Sequence, residues 1–107
     1  MFSPPLTPTV FFVLLSLAEG PSHGYAIMKR SAELSQGSVR MGPGALYTTI
    51  QRLTEESLIE EVESYEDPRR RQYRLTTAGR TLLVEEVDRM ESVVKTARRL
   101  KLRTQGR

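Results

Sequence analysis

Apolar side chains recur at helical spacing through the first half of this chain, alternate between Leu58 and Leu75, and return to helical spacing from Thr77 onward. That order limits the fold more than any other feature, because each element can bury its apolar face only against its neighbours. At 107 residues there is room for one core, perhaps with an appended element, and not for two. The signals that open each element are local. Thr7 before Pro8 is a hydroxyl N-cap followed by a proline at the first helical position, where the missing N–H costs nothing. A first helix runs from Pro8 to about Ala18, apolar on nearly every side, and Glu19-Gly20-Pro21 ends it.

Ser22 can cap a second helix over His23 to Leu34, in which Tyr25, Ala26, Met28, Ala32 and Leu34 supply apolar area and Lys29, Arg30 and Glu33 face out. The polar connection from Ser35 to Gly42 is expected to carry a short extended piece at Val39 to Met41. Pro43 opens a third helix to about Glu56. At about 100° per residue, Leu46, Ile50 and Leu53 form its buried stripe, and the opposite arc holds Gly44, Thr48, Gln51, Arg52 and Glu55, flanked by Ala45 and Tyr47. Ser57 breaks this helix. Leu58 to Tyr65 and Arg71 to Leu75 then read as two strands around an Asp67-Pro68 turn, with Tyr73 and Leu75 on one face. Thr76 resembles an N-cap for a last helix from Thr77 to about Arg103. The expected fold is mainly α with a small β-hairpin: a winged helix-turn-helix over residues 1–76, followed over 77–107 by a long helix and a basic tail.

Composition and charge remove several functional classes. There is no cysteine and a single histidine, His23, so disulfides, thiolate zinc sites, cysteine nucleophiles and histidine pairs are excluded, and no cofactor is implied. No glycine loop cradles a phosphate, and the acids fall on expected outer faces, so the chain does not read as an enzyme. The apolar run Val10 to Leu15 is far shorter than the ~20 residues a bilayer requires. No basic residue precedes it, so a cytoplasmic protein is expected. The formal net charge is +3, but its distribution says more. Arg69, Arg70, Arg71, Arg74 and Arg80 follow Asp67, while Glu60, Glu61, Glu63 and Glu66 precede it, the pattern of a hairpin with one part aimed at a polyanion.

In the last helix Leu83, Val87, Met90, Val94 and Ala97 repeat at steps of four and three, the seam of a coiled coil or bundle. A domain this small has little surface to cover both that seam and the first helix, so a second copy is the simplest cover.

Three motifs stand in order: Gly20-Pro21-Ser22-His23-Gly24-Tyr25, Gly42-Pro43-Gly44-Ala45-Leu46-Tyr47, and Arg70-Arg71-Gln72-Tyr73-Arg74-Leu75-Thr76-Thr77-Ala78-Gly79-Arg80. With Arg52-Leu53 and Leu58-Ile59, they closely resemble the PadR family of bacterial transcriptional regulators over Phe11 to Arg80. The resemblance implies a homodimeric winged-helix repressor on a palindromic operator, often released by a small apolar or aromatic compound. It also implies the short-tailed class, in which the single long C-terminal helix makes the dimer. The chain departs from the family habit at Gly42, Ala45, Thr48, Ser57 and Gln72, where Ser, Thr or Ser, Pro, Gly and Tyr are common. These changes bear on the operator sequence and not on the fold.

On this reading the partner is double-stranded DNA, with the third helix in the major groove and the hairpin against backbone or minor groove. Thr48 can touch a thymine methyl or a base edge, Gln51 suits adenine, Arg52 guanine or phosphate, and Tyr47 phosphate. Gly44 and Ala45 let the helix N-terminus approach the backbone. Arg69, Arg70 and Arg71 are expected to meet phosphate or the minor groove. His23 reads as structural, with a phosphate contact as the alternative. An effector pocket, if the family habit holds, falls between the first and last helices at Phe11, Leu14, Leu15, Met90 and Val94, where plain dimer core is the competing reading. Lys95, Arg98, Arg99, Lys101 and Arg103 read as a solvated helix end. A winged helix can also serve as a protein-interaction module, but the arginines favour DNA.

Overall fold

In the computed structural model, residues 1–64, 66 and 70–102 are described. Helices α1 (Pro8–Ser16), α2 (Gly24–Leu34) and α3 (Pro43–Glu55) precede strands β2 (Ile59–Val62) and β3 (Gln72–Leu75) and the long helix α4 (Thr77–Arg99), and a two-residue strand β1 (Ser22–His23) lies between α1 and α2. The sheet order is β1-β3-β2, antiparallel throughout, with Ile59 opposite Leu75, Glu61 opposite Tyr73, and Ser22 opposite Tyr73 on the other side. This is the winged-helix plan expected from the sequence, with one strand more than the hairpin.

The local signals act as expected at three helix starts. Thr7 accepts from the Val10 N–H at 3.3 Å, Thr76 accepts from Gly79 at 3.0 Å, and Pro43 opens α3 behind Gly42. Ser57 ends α3 by adopting a left-handed backbone, φ 58°. The expected boundaries run two to four residues long at the ends of α1 and α4. Leu17 caps α1, and α4 stops at Arg99, with Leu100 as its cap.

Two expectations are corrected. The connection at Val39 to Met41 takes no part in the sheet, Val39 being buried with its N–H tied to Ser35 Oγ at 2.9 Å, while Ser22–His23, expected to open the second helix, takes the third place in the sheet. Ser22 is in that strand, so His23 becomes the N-cap of α2, without a side-chain capping bond. The buried face of α2 is Gly24, Ile27 and Ser31, leaving Tyr25 65% exposed. Ser31 is small enough for α1 to lie close, and its hydroxyl donates to the Phe12 carbonyl at 3.3 Å.

One core joins all layers: Val10, Phe11, Val13 and Leu14 of α1 and its cap Leu17 meet Ile27, Leu46, Ile50, Leu53, Ile59, Tyr73, Leu82 and Leu83. Among the acids, Glu86 departs from its expected outward place. It is fully buried, accepting from the Leu6 N–H at 2.8 Å and from Arg89 at 2.6 and 3.3 Å. The Arg89 guanidinium pulls the Glu86 carboxyl below the usual carboxylate range; burial opposes this and the Leu6 N–H adds to it.

The apolar stripe of α4 is wider than the expected seam. At about 100° per residue, Gly79, Leu82, Leu83, Glu86, Met90, Val93, Val94, Ala97 and Leu100 fall within about 120°. Its first half, Gly79 to Glu86, is buried in the domain. Its second half is open: Val93, Val94 and Leu100 are 53%, 48% and 66% exposed. Val87, 43% exposed, sits at the edge of this stripe. Of the described helices, none is long and apolar enough to cross a membrane.

Candidate nucleic-acid interface

The outer face of α3 is built by subtraction. Leu46, Ile50 and Leu53 are drawn into the core, so Gly44, Ala45, Tyr47, Thr48, Gln51 and Arg52 are left exposed on the other side. Nothing lies within 4 Å of where a Cβ on Gly44 would sit, so the start of the helix is open to close approach. Thr48 and Thr49 turn their hydroxyls back onto the helix, donating to Gly44 O at 3.0 Å and Ala45 O at 2.9 Å.

Tyr47 leans toward the start of α2. A Cβ on Gly24 would stand 2.8 Å from the Tyr47 hydroxyl, which is why this position tolerates only glycine without moving the ring. With His23, Tyr25, Arg70 and Arg71, these residues line an open cleft of about 460 Å³ between α2, α3 and the hairpin. His23 Nδ1 is buried there without a hydrogen-bond partner.

The hairpin is a charged surface as expected, but its arginines have cross-strand partners. Arg74 Nε donates to Glu60 at 2.7 Å, and Arg71 Nε lies 3.6 Å from Glu61, all four side chains being largely exposed. Such exposed pairs contribute little to stability, so exchanging them for phosphate costs little. Arg70 is exposed; Arg69 lies outside the described residues. Behind them Tyr73 is core, and burial pushes its phenol up, with Glu61 adding to the shift.

The N-terminal arm joins this surface although no helical or strand signal marks it in the sequence. Phe2 N–H donates to Glu56 at 3.0 Å, and the Arg52 guanidinium lies 5.0 Å from the centroid of the Phe2 ring. The arm thus crosses the C-terminal end of α3 and reaches α4 through Leu6 and Glu86. An aromatic at position 2 was the only available signal. The residues expected to line an effector pocket are not equivalent: Phe11 and Leu14 are buried, Leu15 and Met90 half-buried, and Val94 exposed. Among the described residues, no group of three or more acids and histidines is placed to hold a metal.

Comparison with known proteins adds ancestry to this geometry. The chain is 34% identical to the transcriptional regulator YqjI of Escherichia coli over 88% of its own length and 43% of that protein's. It is also 34% identical to the transcriptional regulator Rv3488 of Mycobacterium tuberculosis, over 78% of this chain and 76% of the relative. A PadR-like transcription factor from Bacteroides fragilis superimposes with a TM-score of 0.66 at 26% identity, covering 85% of this chain and 87% of that one. The chain spans less than half the length of YqjI, and 21% of a 44% identical transposon protein of Streptomyces fradiae that aligns with 73% of this chain. The family and its named relatives are regulators of transcription, not enzymes. Residues 13–85 match the transcriptional regulator PadR-like family, and the chain belongs to it.

Proposed function

We propose that this chain is a cytoplasmic repressor that reads double-stranded DNA as a homodimer on a palindromic operator and is released by a small hydrophobic or aromatic effector. One observation carries the reading. The exposed face of α3 and the arginine-bearing hairpin flank one cleft, so a helix and a cationic wing meet the same duplex. Gly44, Ala45, Tyr47, Thr48, Gln51 and Arg52 form the groove-facing part, and Arg69, Arg70 and Arg71 the phosphate or minor-groove part. Residues 1–76 supply the reader, and 77–107 supply the pairing helix and a basic tail. The pairing surface contains Val87, Met90, Val94 and Ala97, with Leu83 of the expected seam buried behind them in the protomer's own core, and the open second half of the α4 stripe supports it. The effector is assigned to the α1–α4 junction, at Phe11, Leu14, Leu15, Met90 and Val94.

Selection of bound sequences from random duplex DNA tests both reader and symmetry. A palindromic consensus is expected; no enrichment refutes DNA reading and favours a protein-interaction module. Replacing Arg69, Arg70 and Arg71 by Ala should weaken binding to every sequence and flatten its salt dependence by a slope of about 5, from three arginines in each of two protomers. An unchanged slope removes the wing from the interface. A monomer in sedimentation at micromolar concentration refutes the dimer.

A further inference from the structure

We propose that the recognition helix reads thymine through its 5-methyl group, using a small apolar tip made of Ala45 and the γ-methyl of Thr48; this rests on the DNA-reading function proposed above. Thr48 is exposed, yet its hydroxyl proton is committed to Gly44 O at 3.0 Å. A hydroxyl has one proton, so in this conformation Thr48 does not also donate to the N7, O6 or O4 acceptors that dominate base edges in the major groove, and doing so would break the bond to Gly44. Turning the oxygen back toward the helix axis leaves the γ-methyl as the outward group of this β-branched side chain. Ala45, also exposed and three residues earlier, offers only a methyl. Beside them, one turn before Thr48, Gly44 adds no side chain, and the space around it is open to 4 Å.

The other end of α3 is unsuited to enter the groove first. Glu55 and Glu56 are exposed acids, Glu56 accepts from Phe2 N–H, and Arg52 lies over the Phe2 ring. The N-terminal turn therefore goes deepest, and its chemistry is apolar. Of the four bases only thymine presents a methyl in the major groove. Gln51, one turn further on, remains the polar reader beside it.

The test uses the chain and duplex DNA with a randomised centre. A sequence is selected in ordinary DNA, then remade with deoxyuridine, which lacks only the methyl, either within the half-sites or only in the flanks. Substitution within the half-sites should lower affinity about fourfold for each methyl buried against the protein; flank substitution should have no effect. Thr48→Val keeps the methyl and should keep the thymine-to-uracil ratio, whereas Thr48→Ser should bring it toward one. The ratio is read within each variant, so a general loss of binding does not obscure it. Equal affinity of the unaltered chain for both DNAs, or a ratio that Thr48→Ser leaves unchanged, overturns the assignment while DNA reading stands. Failure to select any sequence overturns DNA reading, and this inference with it.

Discussion

Two glycines in first helical turns should respond in opposite directions to the same substitution. At Gly79, in the first turn of α4, an alanine Cβ would stand 1.9 Å from the Leu58 carbonyl oxygen and 2.9 Å from its carbon. Ordinary contact is about 3.5 Å, so backbone must separate from backbone by roughly 1.5 Å. The two bonds that seat this helix on the end of α3 lie beside the clash: Thr76 N–H to Leu58 O at 3.1 Å and Thr76 Oγ1 to Ser57 O at 2.6 Å. Losing both costs about 2 kcal/mol, and overpacking adds about 1–3 kcal/mol. Alanine's better helix propensity returns about 1 kcal/mol. The net for Gly79→Ala is a loss of about 2–4 kcal/mol. Gly44→Ala, where nothing lies within 4 Å, keeps only the propensity gain of about 0.5–1 kcal/mol. Urea unfolding at one fixed protein concentration reads the difference, with a lower midpoint for Gly79→Ala and a slightly higher one for Gly44→Ala. A midpoint for Gly79→Ala at or above that of the unaltered chain refutes the close docking of α4 on Leu58.

Two further outcomes follow from the caps and the buried acid. Gly42→Ser should stabilise by about 0.5 kcal/mol, because α3 has no side-chain cap, the backbone there is extended at φ −81°, and serine restricts the unfolded chain; a lowered thermal midpoint counts against it. Folding lowers the Glu86 pKa, so its stabilisation is full above the unfolded value of about 4.3 and is lost as pH falls through the folded value. Glu86→Gln should therefore unfold earlier than the unaltered chain at pH 7, with the gap closing below about pH 4; a gap of equal size at both pH values shows that the ion pair with Arg89 is not its source.

Much of the fold was legible because its boundaries are written locally. Thr7-Pro8, Pro43, Ser57 and Thr76 act through side chains or backbone within a few residues, and each lies where the sequence placed it. Strand β1 was not legible, since Ser22 and His23 become a strand only by pairing with Tyr73 and Gln72, some fifty residues on. The phase of α2 was misread for a related reason. Tyr25 counted as apolar area and Ser31 was assigned to neither face, but close packing on α1 favours the smaller side chain inside. Glu86 is the sharpest case: an acid within an apolar stripe is read as solvated until Leu6, eighty positions earlier, supplies its N–H. Within the candidate interface, the exposed face of α3 followed from periodicity. The engagement of Arg52 with Phe2 did not, because no spacing links them.

The stripe along α4 has a bearing on geometry at a distance. Its covered half and its open half lie on one uninterrupted helix, so the number of residues between Glu86 and Val93 fixes the direction in which the open half faces. One inserted residue would rotate that half by about 100° and aim it away from a partner, whereas seven would restore its facing to within about 20° and lengthen the arm by about 10 Å. In the homodimer proposed above, two reader domains joined through such arms would be set apart by helical phase. The spacing of operator half-sites could then change by insertion alone, with every residue that touches a base left as it is.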